Sequence, residues 1–257
     1  MSSNDGTSKT LFVAFALCIV CSVIVSTAAV LLKPAQEANK TLDRKRNILA
    51  AAGMLDESMG VEEQFSKVSS RIVDLRNGKF SDAHDPEKFD QRKAAKDPAA
   101  SEKLSAEADI AKIARRENYA IVYLVGADEG GFDKIILPIH GAGLWSTLYG
   151  FIALESDGNT VAGLGFYEHG ETPGLGGEVD NPRWKALWPG KEVYRDGAAA
   201  IGLIKGSVNT DSADAPWQID GLSGATLTSR GVSNLVQFWL GDSGFSLFLQ
   251  NLNSGEA

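Results

Sequence analysis

Four runs decide how this chain folds: YAIVYLV at 119–125, DKIILPI at 133–139, STLYGFIAL at 146–154 and TVAGLGFYE at 160–168. Each is short and rich in Ile, Val, Leu and aromatic side chains, which suit a half-buried pleated surface. Turn formers separate them, among them Asp128-Glu129-Gly130-Gly131 and Asp157-Gly158-Asn159. Such spacing predicts successive strands joined as a meander. Two more strand-like pieces follow, around Ala199–Lys205 and Trp217–Ile219. Glu178 to Trp188 predicts a helix with Trp184, Leu187 and Trp188 on one side, stopped by Pro189-Gly190. Beyond it, Val232, Leu235, Val236, Trp239 and Leu240 recur at the spacing of a helix lying on a core, and Gly241 ends it. Strands followed by packed helices predict an α+β domain over residues 119–257, built on an antiparallel sheet.

Upstream the character differs. Residues 33–118 read as a stalk helix followed by a polar α/β region. Lys33 to Ala52 is rich in helix formers and closes at Gly53, while Leu42, Ile48, Leu49 and Leu55 supply a partial apolar stripe. Residues 77–118 are polar and charged, with Pro86 and Pro98, and predict loops and a surface helix. Residues 11–32, LFVAFALCIVCSVIVSTAAVLL, carry no charge. At about 1.5 Å per residue this run spans roughly 33 Å, enough for a hydrocarbon core of about 30 Å. A cleaved signal peptide would have a shorter apolar stretch of about 7–15 residues. Ser26-Thr27-Ala28 resembles a cleavage site, but the length favours an uncleaved anchor after a ten-residue tail (1–10). Only Lys9 precedes the span, whereas Lys33, Lys40, Arg44, Lys45 and Arg46 follow it. A count of positive charge alone would place the large domain in the cytoplasm, although long domains translocate largely regardless of it.

Composition removes some functions. Over 257 residues the formal net charge is −8, so the basic face needed for nucleic acid is missing. Cys18 and Cys21 both lie inside the apolar run. Their spacing admits a redox or zinc reading, but zinc needs about four ligands and no second Cys/His pair is near, so two small residues in a membrane helix is the better account. His84, His140 and His169 show no metal spacing, and no metal site is expected. No GxGxxG opens a βαβ unit, so a dinucleotide is not expected to bind this chain.

The sharpest chemical signal is Asp220-Gly221-Leu222-Ser223-Gly224-Ala225-Thr226, a glycine-bearing loop that opens onto the last helix. Unpaired N–H groups and the positive dipole end make a helix start favourable for phosphate. Gly224 and Ala225 leave room for a bulky group, and Ser223 and Thr226 supply hydroxyls. An ordinary Ser/Thr cap would look the same in isolation. A second signal, His169-Gly170-Glu171-Thr172-Pro173-Gly174-Leu175-Gly176-Gly177, offers backbone donors, a carboxylate and a hydroxyl beside an apolar Leu175. The bland alternative is a turn made permissive by proline and glycine.

The first segment resembles the Asp-x-x-Ser/Thr-Gly-Ala-Thr/Ser flavinylation motif of an FMN-binding domain family, matching at Asp220, Ser223, Gly224, Ala225 and Thr226. That family is shared by the C-subunit of sodium-pumping NADH:quinone reductases and the G-subunit of the related Rnf complexes. Glu171 to Gly176 resembles the family's flavin-contacting loop. The resemblance implies FMN joined by a phosphoester to Thr226, attached by a periplasmic flavin transferase that uses FAD and magnesium. It also implies FMN contacts at Glu171, Thr172, Leu175 and Gly176. Trp145 lies in GAGLWSTLYGFIAL, which resembles the C-subunit more than the G-subunit; its indole reads either as core or as a flavin neighbour. Lys205, with Arg230 competing, is a candidate counter-charge for the phosphodiester.

The whole reading implied is a single-pass protein of a bacterial inner membrane. Residues 11–32 would lie in lipid, and the α+β domain would be periplasmic. It would relay electrons from NADH toward ubiquinone within a sodium-exporting complex, together with the other subunits and without NADH turnover of its own. The Rnf counterpart and a membrane-anchored non-redox scaffold, in which the loop is only a cap, are the alternatives.

Overall fold

In the computed structural model, residues 6–126 and 131–257 are described, so of the turn expected at 128–131 only Gly131 falls within them. The chain divides between Arg44 and Lys45 into two units. The first consists of most of helix α1 (Thr7–Ala51), whose apolar residues from Leu11 to Leu32 are all exposed. By length and composition α1 could cross a membrane. Stalk and apolar run form one helix, interrupted in composition only by Pro34.

The second unit is α+β. After α2 (Val61–Phe65) come strands β1 (Val68–Asp74) and β2 (Lys79–Phe80), helix α3 (Gln91–Lys96), then β3 (Ser101–Lys103) and β4 (Arg115–Glu117). The meander follows as β5 (Tyr119–Val125), β6 (Lys134–Ala142), β7 (Thr147–Glu155) and β8 (Val161–Glu168). Helix α4 (Pro182–Lys185) and two-residue strands β9 (Tyr194–Arg195), β10 (Ala198–Ala199), β11 (Gly202–Leu203) and β12 (Gln218–Ile219) lead into α5 (Thr226–Leu240) and α6 (Ser246–Ser254).

The main sheet has six strands in the order β2-β1-β5-β6-β7-β8, with every neighbouring pair antiparallel. The four meander runs are strands as expected. The sheet, however, also draws on a segment far upstream of Tyr119. Strand β1 pairs with β5 along its whole length, from Val68↔Val125 to Asp74↔Tyr119. Another expectation fails between 178 and 188. A 3₁₀ turn covers Gly176–Asp180, and α4 is only four residues long. The reason is Pro182, which disfavours helical geometry at Asn181; that residue is extended (φ −62°, ψ 120°) and caps α4 by accepting from Arg183 N. Helix α6, which no pattern suggested, closes the chain.

Both sheet faces are covered, which is why β5 and β6 read as nearly continuous apolar runs. On one face Val122, Leu137, Ile139, Leu148 and Ile152 pack with α5 and α6 through Leu235, Trp239 and Phe248. On the other, Ile121, Tyr123, Ile136 and Phe151 meet the end of α1 at Ile48 and Leu49. Helix α5 lies along β6 in the opposite direction. Trp239 Nε1 donates to the His140 carbonyl at 2.7 Å, and toward the other end Gly231 rests on the Ala142 carbonyl, where a side chain would clash. The N-terminus of α5 therefore reaches the end of the sheet where β6 turns into β7.

One buried group costs stability. Glu117 is fully buried; its Oε1 accepts a hydrogen bond from Gln91, and its Oε2 has no partner among the described residues. Burial, opposed by the weaker pull of Gln91 and Arg116, pushes its carboxyl from 4.5 up to about 7. The folded state holds this proton more tightly than the unfolded chain. Its contribution is therefore complete below about pH 4.5 and is lost as pH rises to about 7, an effect on the order of 3 kcal/mol. Glu117→Gln should raise the thermal midpoint at pH 8 and leave it nearly unchanged at pH 5, measured by circular dichroism in detergent. An equal shift at both pH values would contradict the assignment.

Candidate functional site

Three segments meet at that end of the sheet. The first is the β6–β7 turn, Gly143 to Ser146, closed by Gly143 N donating to Ser146 O at 2.8 Å. Its tip carries Leu144 and Trp145, which are 44% and 70% exposed. The reading of Trp145 as core is thus overturned, because a residue at the tip of a hairpin has no neighbouring layer to enter.

The second segment leaves β8. Gly170 N donates to Ser146 Oγ at 2.6 Å, which holds this loop against the first turn. His169 bonds Asp180 at 2.8 Å and accepts from Glu171 N at 3.2 Å, so it serves the loop's own geometry. Thr172 uses its carbonyl to accept from Leu175 N and Gly177 N, while its side chain is exposed. Leu175 is exposed as well.

The third segment is the start of α5. The first intrahelical bond runs from Ser229 N to Ala225 O at 2.9 Å, and no side chain caps the helix. The N–H groups of Thr226, Leu227 and Thr228 precede that bond. Gly224 adopts φ +71°, a conformation natural to glycine, and a β-carbon there would lie 3.0 Å from Leu175 Cδ2. The two loops singled out from sequence are therefore in contact.

Three hydroxyls on the first turn of α5 have different fates. Thr228 Oγ1 is buried and donates to Glu171 Oε2 at 2.6 Å. Ser229 Oγ is buried, donating to Ala225 O at 3.0 Å and accepting from Leu222 N at 2.9 Å. Thr226 is exposed, and its hydroxyl has no partner among the described residues. Ser223, in the preceding loop, is exposed too.

Glu171 differs from the contact expected of it. Its side chain is buried, and both oxygens are engaged inside the protein. Oε1 accepts from Leu144 N at 3.1 Å and Trp145 N at 3.0 Å, and Oε2 from Thr228. Burial alone would raise its pKa, but the Thr228 hydroxyl and the N–H groups of Trp145 and Leu144 outweigh that and hold it below the ordinary value. Two glycines make the room: a β-carbon on Gly143 would sit 2.5 Å from Oε1, and one on Gly176 would sit 2.7 Å from Oε2. Gly176 is accordingly buried, as packing rather than as a surface contact.

Asp220 faces away from the others. Its Oδ1 accepts from Val208 N at 2.8 Å and its carbonyl from Trp184 Nε1 at 3.0 Å, while Gly221 N donates to Gly206 O at 2.9 Å. These bonds stitch the loop that bears Lys205 onto the motif. Lys205 and Arg230 are both exposed, without an acidic partner among the described residues. Sequence reading missed Leu144, Leu227 and Thr228. Leu227, 53% exposed, lies off the apolar stripe of α5, and a leucine on the wrong side of an amphipathic helix was the available signal. The site thus combines an uncapped helix start, a free hydroxyl, two exposed cations and an exposed apolar group of Leu144, Trp145, Leu175 and Leu227.

Comparison with known proteins bears on this arrangement. The model of a family described as FMN-binding domain matches residues 143–241, which run from the first turn of the site to the end of α5. The C-subunit of the Na(+)-translocating NADH-quinone reductase of Pseudomonas aeruginosa is 57% identical, with 100% of both chains covered. The protein of the same description from Vibrio anguillarum is 51% identical over 99% of this chain and 98% of its own. Among solved structures, that of Shewanella oneidensis NqrC superposes with a TM-score of 0.77 at 38% identity, covering 84% of this chain and 99% of that one.

Proposed function

The chain belongs to the C-subunit family of Na(+)-translocating NADH-quinone reductases, and from that membership we infer that it carries FMN on Thr226 and relays electrons within such a complex. The observation that carries the assignment of the site is the state of its hydroxyls: on the first turn of α5, that of Thr226 is exposed and unbonded among the described residues, while Thr228 and Ser229 are tied into the protein. The residues present fit the group. Helix-start N–H groups suit a phosphate, and Lys205 and Arg230 could offset its charge. Leu144, Trp145, Leu175 and Leu227 offer an apolar surface for a ring system. When bound, FMN supplies reversible electron uptake and release. The chain's own part is to fix its position, exclude water from one side and set the surrounding charge.

The remaining features follow the same reading. Residues 11–32 anchor the chain in the inner membrane, the domain lies on the periplasmic side, and a flavin transferase installs the cofactor during maturation. Electrons enter and leave through neighbouring subunits. The relatives favour the sodium-translocating complex over an Rnf complex, and the match to an FMN-binding domain favours a redox role over a scaffold. Intact mass of the chain purified from membranes should show one FMN adduct and a retained N-terminus, with the adduct mapping to the Thr226 peptide. Protease added outside spheroplasts should digest the domain. A chain without flavin would refute the reading, an adduct elsewhere would refute the site, and protection of the domain would refute the orientation.

A further inference from the structure

We propose that Glu171 is the positioning residue of the flavin site: its buried carboxylate locks the Leu144-Trp145 turn to the start of α5 and keeps a fixed negative charge behind the exposed surface that would receive the cofactor. The inference rests on the FMN reading above and extends it. Three donors from two separate elements converge on this one carboxylate, the N–H groups of Leu144 and Trp145 and the hydroxyl of Thr228. Among the described residues no cation pairs with it, and every partner is a neutral donor. Gly143 and Gly176 leave room for its two oxygens, so the position is built for a carboxylate. Thr228 lies two residues beyond Thr226, and Leu175 directly precedes Gly176, so the residues that hold Glu171 are neighbours of those that form the exposed surface.

Two consequences separate positioning from charge. Neutral donors stabilise the carboxylate without cancelling its charge, and screening is weak inside the protein. Reduction adds negative charge to a flavin, so a fixed anion nearby disfavours it. Glu171→Gln keeps the shape: one amide oxygen accepts the two N–H groups, and the amide N–H₂ donates to Thr228 Oγ1. This variant removes only the charge. Glu171→Ala removes both.

The test uses the full chain in its complex, in detergent, with flavin attachment first verified by in-gel fluorescence of each variant. Redox titration followed by flavin absorbance should show the Glu171→Gln flavin easier to reduce by at least tenfold, about 30 mV for a two-electron couple. Amide hydrogen exchange at Leu144 and Trp145 should be at least tenfold faster in Glu171→Ala and close to the parent in Glu171→Gln. A flavin equilibrium within threefold of the parent in Glu171→Gln would overturn the electrostatic role. Unchanged exchange in Glu171→Ala would overturn the lock. A parent chain that carries no flavin would instead overturn the FMN reading, which is a separate outcome.

Discussion

Thr226→Ala should yield a folded chain that stays dark under ultraviolet light in a denaturing gel, while the parent fluoresces. The effect is complete loss, because the proposed attachment is a single ester bond to a single oxygen. Folding should be spared. Thr226 is exposed, lies at the first position of α5 and makes no side-chain hydrogen bond among the described residues, so its truncation falls among surface substitutions that change stability by about 0.5 kcal/mol or less. Ser223→Ala serves as the comparison, since it removes the other exposed hydroxyl of the motif and should leave the signal intact. Thr226→Ser restores an oxygen at the same place and should recover part of it. Fluorescence persisting in Thr226→Ala, or vanishing in Ser223→Ala with the flavin mapped to residue 223, would move the attachment elsewhere.

The largest loss of stability is expected from Trp239→Ala. The indole is fully buried, lies against Phe238, Phe245 and His140, and donates to the His140 carbonyl at 2.7 Å. Truncation of a buried Trp costs about 3–5 kcal/mol, from lost burial together with the cavity left behind. Chemical denaturation in detergent measures it, through the shift in midpoint at unchanged slope. Because this contact fixes the far end of α5 along β6, partial unfolding there should also loosen the helix start near Ala142. A change below about 1 kcal/mol would mean that α5 is not held in this way.

How much of this was legible depends on whether the information was local. The strands from 119 to 168 announce themselves because each carries its own apolar run and its own turn formers. Helix α5 does so through its stripe. Strand β1 does not: Ser69, Ser70 and Arg71 make VSSRIVD look polar, and its place in the sheet comes from pairing with β5, a partner some fifty residues later. Helix α6 starts without a side-chain cap, so SLFLQNLNS gives no start signal. At the site, the motif positions from 220 to 226 and the loop from 171 to 176 could be picked out, and the structure brings Leu175 against Gly224. What could not be read was orientation. That Glu171 turns inward depends on donors at 144, 145 and 228, and that Trp145 turns outward depends on where a hairpin ends.

The unequal fates of Thr226, Thr228 and Ser229 bear on when the proposed attachment would take place. An unfolded chain would present three competing nucleophiles within four residues, and an enzyme acting on it would have to choose by sequence. Once the helix has docked, two of these three are spent on internal bonds, and Thr226, with Ser223 in the preceding loop, is left exposed. If the proposed attachment follows folding, part of its selectivity lies in the substrate, and a chain misfolded at this turn would lose that selection.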